Sequence, residues 1–224
     1  MSTIRAVVFD AYGTLLDVHA AMQRHAALLP PDWERISAEW RSKQLEYTWV
    51  RSLTGPAHHR DFWQLTQDAL DFVCARHRIT DPAVRAQLLD AYRSLPAYPD
   101  SVPILMQLRG RGLRTAILSN GSPAMLDDAV QASGLTPLLD AVLSVESVGV
   151  FKPDPRVYAL AAERMGLALS SMAFVSSNAW DAQAAHMAGM RVVWCNRTNQ
   201  PDEYGLRAAV DEIQGLAALP DRLA

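Results

Sequence analysis

Ile4-Arg5-Ala6-Val7-Val8-Phe9-Asp10-Ala11-Tyr12-Gly13-Thr14 is the stretch on which the fold turns. The largely apolar run from Ile4 to Phe9 reads as a buried parallel strand. An aspartate at the end of such a strand, followed by a glycine turn, lies where open α/β sheets place their chemistry. Asp10 can act there as a carboxylate nucleophile. A second aspartate two residues on would supply a proton to a leaving alkoxide, and this chain has Tyr12 at that position.

Further along, Arg114–Ser119, Ala141–Ser144, Met172–Val175 and Arg191–Cys195 read as four more buried strands. Residues 123–133, 155–165, 181–188 and 203–208 alternate with them and read as helices. Gly134, Gly166 and Gly189 fall where helices stop. This order predicts an α/β fold, a doubly wound parallel sheet with right-handed crossovers. The stretch from Asp17 to Leu95 holds no strand signal. Helices are expected over 20–29, 31–53, 60–77 and 82–93, with Asp32 and Asp81 as start signals. Leu95-Pro96-Ala97-Tyr98-Pro99 then interrupts the chain. The expected organisation is a core of residues 1–16 and 97–224, with a helical cap of residues 17–96 inserted over the strand end that carries Asp10.

The chain of 224 residues is long enough to bury a full core. Its net charge of -3 gives no electrostatic reason to bind nucleic acid. Met1-Ser2-Thr3-Ile4-Arg5 lacks the shape of a signal peptide, and no apolar run reaches membrane-spanning length. Cys74 and Cys195 lie far apart in sequence, which fits free thiols in a reducing cytoplasm. A cytoplasmic protein with no nucleic-acid or membrane partner is expected.

Three further sites end or follow strands. Leu118-Ser119-Asn120-Gly121 offers a hydroxyl and an amide, Phe151-Lys152-Pro153-Asp154-Pro155 an ammonium, and Ser176-Ser177-Asn178-Ala179-Trp180-Asp181 a polar turn with a carboxylate. All four sites can converge on one crevice at the carboxyl ends of the strands. In the expected cap, Trp40-Arg41-Ser42-Lys43-Gln44-Leu45-Glu46-Tyr47-Thr48-Trp49 places a cation on a helix above them.

With these residues the chain resembles the haloacid dehalogenase superfamily over nearly its whole length. Within it the resemblance is to the (S)-2-haloacid dehalogenases, including the cap helix with its arginine. The superfamily's phosphatases carry an acid-base aspartate where Tyr12 stands. They carry a magnesium-holding Gly-Asp pair where Ser176-Ser177 stands, while Asp181 remains as the downstream acid. The resemblance implies a Rossmann-like core and the conversion of (S)-2-haloacids to (R)-2-hydroxyacids through an aspartyl ester, without metal or cofactor. Asp10 is then the nucleophile, oriented by Thr14 and Lys152. Ser119 binds the substrate carboxylate, Arg41 and Asn120 cradle the halide, and Ser176, Asn178 and Asp181 position Lys152 and the hydrolytic water. Tyr158 is a further polar contact. Ala11, Tyr12, Leu45, Phe62 and Trp180 line the substrate pocket with Ser119 and Asn120. The implied partners are a 2-haloacid, halide and water, with a homodimer as the family's common assembly.

The chemistry agrees with those substitutions. A halide leaves without a proton, whereas a phosphate ester's alkoxide usually needs one. Asp10 and a haloacid carboxylate are both anions, and at about 4 Å they repel by about 4 kcal/mol at an effective dielectric of about 20. Lys152 and Arg41 can offset that without a metal. Two competing readings are a magnesium-dependent phosphatase, against which Tyr12 and Ser177 speak, and a catalytically silent carboxylate binder, against which the set Asp10, Arg41, Lys152 and Asp181 speaks. Plain structural roles also compete: Trp180 as core, Ser176 and Asn178 as helix caps, Tyr158 as a packing residue. His58-His59 reads as solvated, because adjacent helical positions point apart.

Overall fold

Three aliphatic side chains and one aromatic, with no charge, leave Ala6–Phe9 fully buried, and this strand, β1, is the centre of a parallel sheet. In the computed structural model, which describes residues 3–223, five further strands flank it. They are β2 (Arg114–Ser119), β3 (Ala141–Ser144), β4 (Met172–Ser176), β5 (Arg191–Cys195) and β6 (Asp211–Ile213). The order is β3-β2-β1-β4-β5-β6, every pair parallel. Ala6 pairs with Arg114 on one side and Met172 on the other, so β1 lies between β2 and β4 in tight register. The chain builds outward from β1 first in one direction and then in the other. The reversal falls between β1 and β4, and such a switch point opens a crevice at the strands' carboxyl ends. The doubly wound α/β expectation holds.

Between β1 and β2 come α1 (Ala20–Arg24), α2 (Trp33–Leu53), α3 (Phe62–Arg76), α4 (Pro82–Arg93) and α5 (Ser101–Gly110). The first four form a helical insert in which α2 packs on α3 and α1 on α4. Asp61 and Asp81 start α3 and α4 by accepting bonds from Gln64 N and Ala83 N. Asp32 precedes α2 but makes no side-chain cap; it binds Arg35 instead. The chain leaves and re-enters the sheet region along one path. Asp17 N donates to Pro96 O, Tyr98 N donates to Leu15 O, and Leu16 bridges Ala97 antiparallel. Then α6 (Pro123–Ala132), α7 (Pro155–Met165) and α8 (Ala179–Met187) alternate with the strands, followed by the short α9 (Leu206–Ala209) and α10 (Leu219–Arg222). No helix among the described residues is long and apolar enough to cross a membrane.

Several expected boundaries shift. Residues 20–29 do not form one helix; α1 ends at Arg24 and a separate 3-10 turn covers Ala26–Leu28, ahead of Pro30 and Pro31. The segment expected over 203–208 starts only at Leu206, because Tyr204 and Gly205 take positive φ. Three labelled elements lie outside the expectation: β6, α5 and the short α10. β6 is three residues long with two acidic side chains, too short and too polar for an apolar-run signal. In α5, Pro103 sits in the first turn, where its missing N–H costs no helical bond. Met1 and Ser2 lie outside the described residues.

Candidate active site

Asp10 extends β1 by one residue, its N–H donating to Val175 O at 2.9 Å. The chain then reverses in a tight loop. Ala11 O accepts from the N–H groups of Thr14, Leu15 and Leu16, and Gly13 sits at φ +91, which a side chain would strain. The reversal brings Thr14 Oγ1 back to Asp10 Oδ2 at 3.1 Å, while the same hydroxyl accepts from Ser177 N at 2.8 Å. Thr14 thereby ties the loop after β1 to the loop after β4.

The other oxygen of Asp10 meets Lys152, whose Nζ lies 3.2 Å from Oδ1. Lys152 is fully buried, with Nζ 4.9 Å from the Phe174 ring centroid and its backbone N–H held by Asn120 Oδ1 at 2.9 Å. Its ammonium also donates to Asp181 Oδ2 at 2.8 Å. Asp181 lies in the first turn of α8 and is enclosed by two hydroxyls, Ser176 Oγ at 3.0 Å and Tyr158 Oη at 2.6 Å. Asn178 stands at the cap position of α8 without capping it; its Nδ2 donates to Asp10 Oδ2 at 2.8 Å. Asp10, Thr14, Lys152, Tyr158, Ser176, Asn178 and Asp181 thus form one hydrogen-bonded network, and Asn120 joins it through the Lys152 backbone.

Burial alone drives every charge in this network towards neutrality. For Lys152 the two carboxylates outweigh burial, and the ammonium keeps its proton above the ordinary lysine range. For Asp181, burial raises the carboxyl above its usual range; Lys152 opposes the shift and Asp10 adds to it. One lysine neutralises one of two carboxylates, so the remaining negative charge rests on hydrogen bonds from Thr14, Asn178, Ser176 and Tyr158. Tyr158, pushed well up by burial and then by Asp181, stays a phenol and a donor.

The insert closes over Asp10 from the other side. Arg41 Nη2 donates to Tyr12 O at 3.3 Å. Leu45 lies one helical turn beyond Arg41 on α2 and is half-buried. Tyr12 is 2% exposed, stacked on Tyr92 with centroids 5.8 Å apart and packed on Phe62 at 5.9 Å. Its hydroxyl has no partner. Gly121 makes room for this ring: a Cβ there would stand 2.9 Å from Tyr12 Cε2.

Ser119 and Trp180 stand apart from the network. Ser119 Oγ accepts from Gly121 N at 3.1 Å and shapes the loop after β2. Half-buried Trp180 meets Trp49 edge to face at 5.7 Å. The solvated reading of His58-His59 is half wrong. His58 is exposed, but His59 has left the turn, stacks on Phe151 at 5.1 Å and places Nε2 2.9 Å from Glu146 Oε2. The pair links the insert to the segment after β3. Arg197 and Asp100 were not anticipated. Arg197 follows the carboxyl end of β5, the same strand-end signal that singled out the other sites, and it holds Thr14 O at 2.8 Å.

The donor set does not suit magnesium, which wants several oxygen ligands. Lys152 already lies between Asp10 and Asp181 as a cation. Ser177, whose buried Oγ has no partner, stands in place of a carboxylate. Among the described residues no three His, Cys, Asp or Glu side chains converge as a metal-binding group.

A family model for haloacid dehalogenase-like hydrolases matches residues 4–189. The chain is 46% identical over 224 residues to (S)-2-haloacid dehalogenase 1 of Pseudomonas sp. (strain CBS-3), covering 100% of this chain and 98% of the relative. A dehalogenase solved with an intermediate complex superposes with a TM-score of 0.95 at 41% identity, covering 100% and 99% of the two chains. The L-2-haloacid dehalogenase of Xanthobacter autotrophicus with chloropropionic acid covalently bound gives 0.89 at 35% identity, covering 98% of each. Fold and sequence agree: the chain belongs to the haloacid dehalogenase-like hydrolases.

Proposed function

We propose that this protein hydrolyses short (S)-2-haloalkanoic acids to (R)-2-hydroxyalkanoic acids without a metal ion. The observation that carries the reading is a buried aspartate held by an ammonium, a hydroxyl and an amide, with Tyr12 rather than an acid two residues on. An Asp10 oxygen attacks C2 from the face opposite the halogen. The C–O bond forms as the carbon–halogen bond breaks, the halide leaves with the electron pair, and C2 inverts. Water then adds to Cγ of Asp10, and the ester opens to release the hydroxyacid with one of the carboxylate's own oxygens.

In this reading residues 17–96 form the cap and the rest the catalytic core. Thr14, Lys152 and Asn178 orient Asp10. Arg41 and Asn120 take the departing halide, and Ser119 with the N–H groups after Asp10 takes the substrate carboxylate. Ser176, Tyr158 and Asp181 hold Lys152 and the water. Ala11, Tyr12, Leu45, Phe62 and Trp180 surround the alkyl group and halogen. A near-closed site excludes bulk water and strengthens each of these charge contacts. Haloacetates such as fluoroacetate fall within the substrate class. Location in a reducing cytoplasm, supported by two buried free thiols, and a homodimer complete the proposal.

The test is halide release from (S)-2-chloropropionate, its (R) enantiomer and fluoroacetate, with EDTA present. Chloride from the (S) form with (R)-lactate as product is expected, and Asp10→Asn should abolish it. Phosphate release from p-nitrophenyl phosphate that requires added magnesium, with no halide from any haloacid, would overturn the reading.

A further inference from the structure

Arg197, beyond the end of β5, holds the loop that follows Asp10. Its Nη2 and Nε donate to Thr14 O at 2.8 and 3.3 Å. The same guanidinium grips Asp100 in a two-pronged pair, Nη1 to Oδ2 at 3.0 Å and Nη2 to Oδ1 at 2.9 Å, and lies 4.1 Å from the Tyr98 ring centroid. Asp100 Oδ2 also accepts from Leu216 N at 2.8 Å. Leu15 O, the next carbonyl after Thr14, accepts from Tyr98 N and Ser101 Oγ, both at 2.9 Å. One guanidinium therefore joins the nucleophile loop, the segment returning from the helical insert, and the chain beyond β5.

We propose that Arg197 is a positioning residue for dehalogenation, acting through Thr14. Thr14 must present its hydroxyl to Asp10 Oδ2 while accepting from Ser177 N. A loop residue has two soft backbone torsions, and anchoring its carbonyl removes much of that freedom. Asp10 then keeps one carboxylate orientation towards C2, and misplacement of a reacting group by about 1 Å can cost about 100-fold in rate. The Arg197–Asp100 pair, with side chains 15% and 24% exposed, serves the fold by itself. The bonds to Thr14 O serve no need of that pair, and they are what connects it to the reaction. Only a planar fork can satisfy Asp100 and still reach the carbonyl, so lysine is a poor substitute.

The inference rests on Asp10 being the nucleophile. Its test is a double-mutant cycle of Arg197→Met and Thr14→Ala, read as kcat, KM and the single-turnover rate of chloride release from (S)-2-chloropropionate. Arg197→Met should lower kcat and the single-turnover rate by about 10- to 100-fold, with KM changed by less than about threefold. On the Thr14→Ala background the same change should lower kcat by less than about twofold. Arg197→Lys should behave like Arg197→Met, and it replaces that variant in the cycle if the methionine protein does not fold. Full multiplication of the two losses, or a raised KM with unchanged kcat, would overturn the inference. A wild-type protein that releases no halide would overturn the nucleophile reading instead.

Discussion

Lys152 Nζ stands 3.2 Å from Asp10 Oδ1, on a lysine side chain with 0% exposure. A buried ammonium persists only where its partners outweigh desolvation, and here Asp10 and Asp181 do so. The lysine in turn opposes the upward push of burial on Asp181.

Lys152→Met should therefore do more than weaken binding. With the cation gone, the buried Asp181 carboxyl, already raised by burial, loses the partner that opposes that shift and is pushed further up. At pH 7 kcat/KM should fall by at least about 1000-fold. What activity remains should rise with pH, its acid limb displaced upward from that of the wild type. The check is kcat/KM for (S)-2-chloropropionate from pH 5 to 10 in both proteins. An unshifted acid limb in the variant would mean that Lys152 does not hold Asp181 ionised.

Tyr12 and Gly121 make opposite predictions. The Tyr12 hydroxyl is buried without a partner, and burial pushes its ionisation well above the ordinary phenol range. Tyr12→Phe removes an unsatisfied polar atom and keeps the ring, so stability should hold or rise by about 1 kcal/mol. Turnover should stay within about threefold, since the reaction needs no proton from this position. Gly121→Ala instead drives a methyl to 2.9 Å from the same ring and to 3.0 Å from Leu126 Cδ2. Overpacking of that kind costs about 1–3 kcal/mol. It should also lower kcat/KM for larger 2-haloacids more than for haloacetates. Urea unfolding and a substrate series check both variants.

Much of this site can be read from residue names because its members fall at strand ends, where polar side chains interrupt apolar runs. Asp10, Ser119 and Ser176 carry that signal; Lys152 comes from the loop beyond β3 (Ala141–Ser144) and reaches Asp10 from 142 positions away. Helices α4 and α7 match their expected limits because Asp81 and Asp154 cap them and a proline opens each. Other features leave no such trace. The strand β6 is held by pairing to β5, not by its own hydrophobicity. The stack of Tyr12 on Tyr92 depends on how α4 meets the loop after β1. The Arg197–Asp100 pair joins residues 97 apart, neither in an apolar pattern. His59 was misread because helical geometry was assumed for a residue that lies in extended backbone.

Tyr158 has a structural role open to direct test. Its phenol donates to Asp181 Oδ1 at 2.6 Å inside the core. A hydrogen bond to a charged group is worth about 1.5–3 kcal/mol. Tyr158→Phe should lower stability by about that much and reduce kcat by about 10- to 100-fold, through a less firmly held Asp181 and Lys152. Tyr158 as mere packing predicts unchanged kcat, because phenylalanine fills the same space.

Alkaline pH should expose Tyr98. Burial, with a smaller push from Asp17, raises its phenol to about 12, against a pull down from Arg197. In the unfolded chain a phenol ionises near 10. Between these values the folded protein binds a proton that the unfolded chain has released. The contribution is complete below pH 10 and is lost as pH rises towards 12. Tyr12, Tyr92 and Tyr158 are raised as well, so the wild-type loss is the sum of several such groups. Tyr98→Phe keeps the ring under Arg197 and removes one share. Its unfolding free energy should fall less steeply than that of the wild type between pH 10 and 11.5, while the two proteins match in pH dependence from 7 to 9. Urea titrations across that range measure the difference directly, and parallel curves throughout would place the Tyr98 hydroxyl in solvent rather than in the protein.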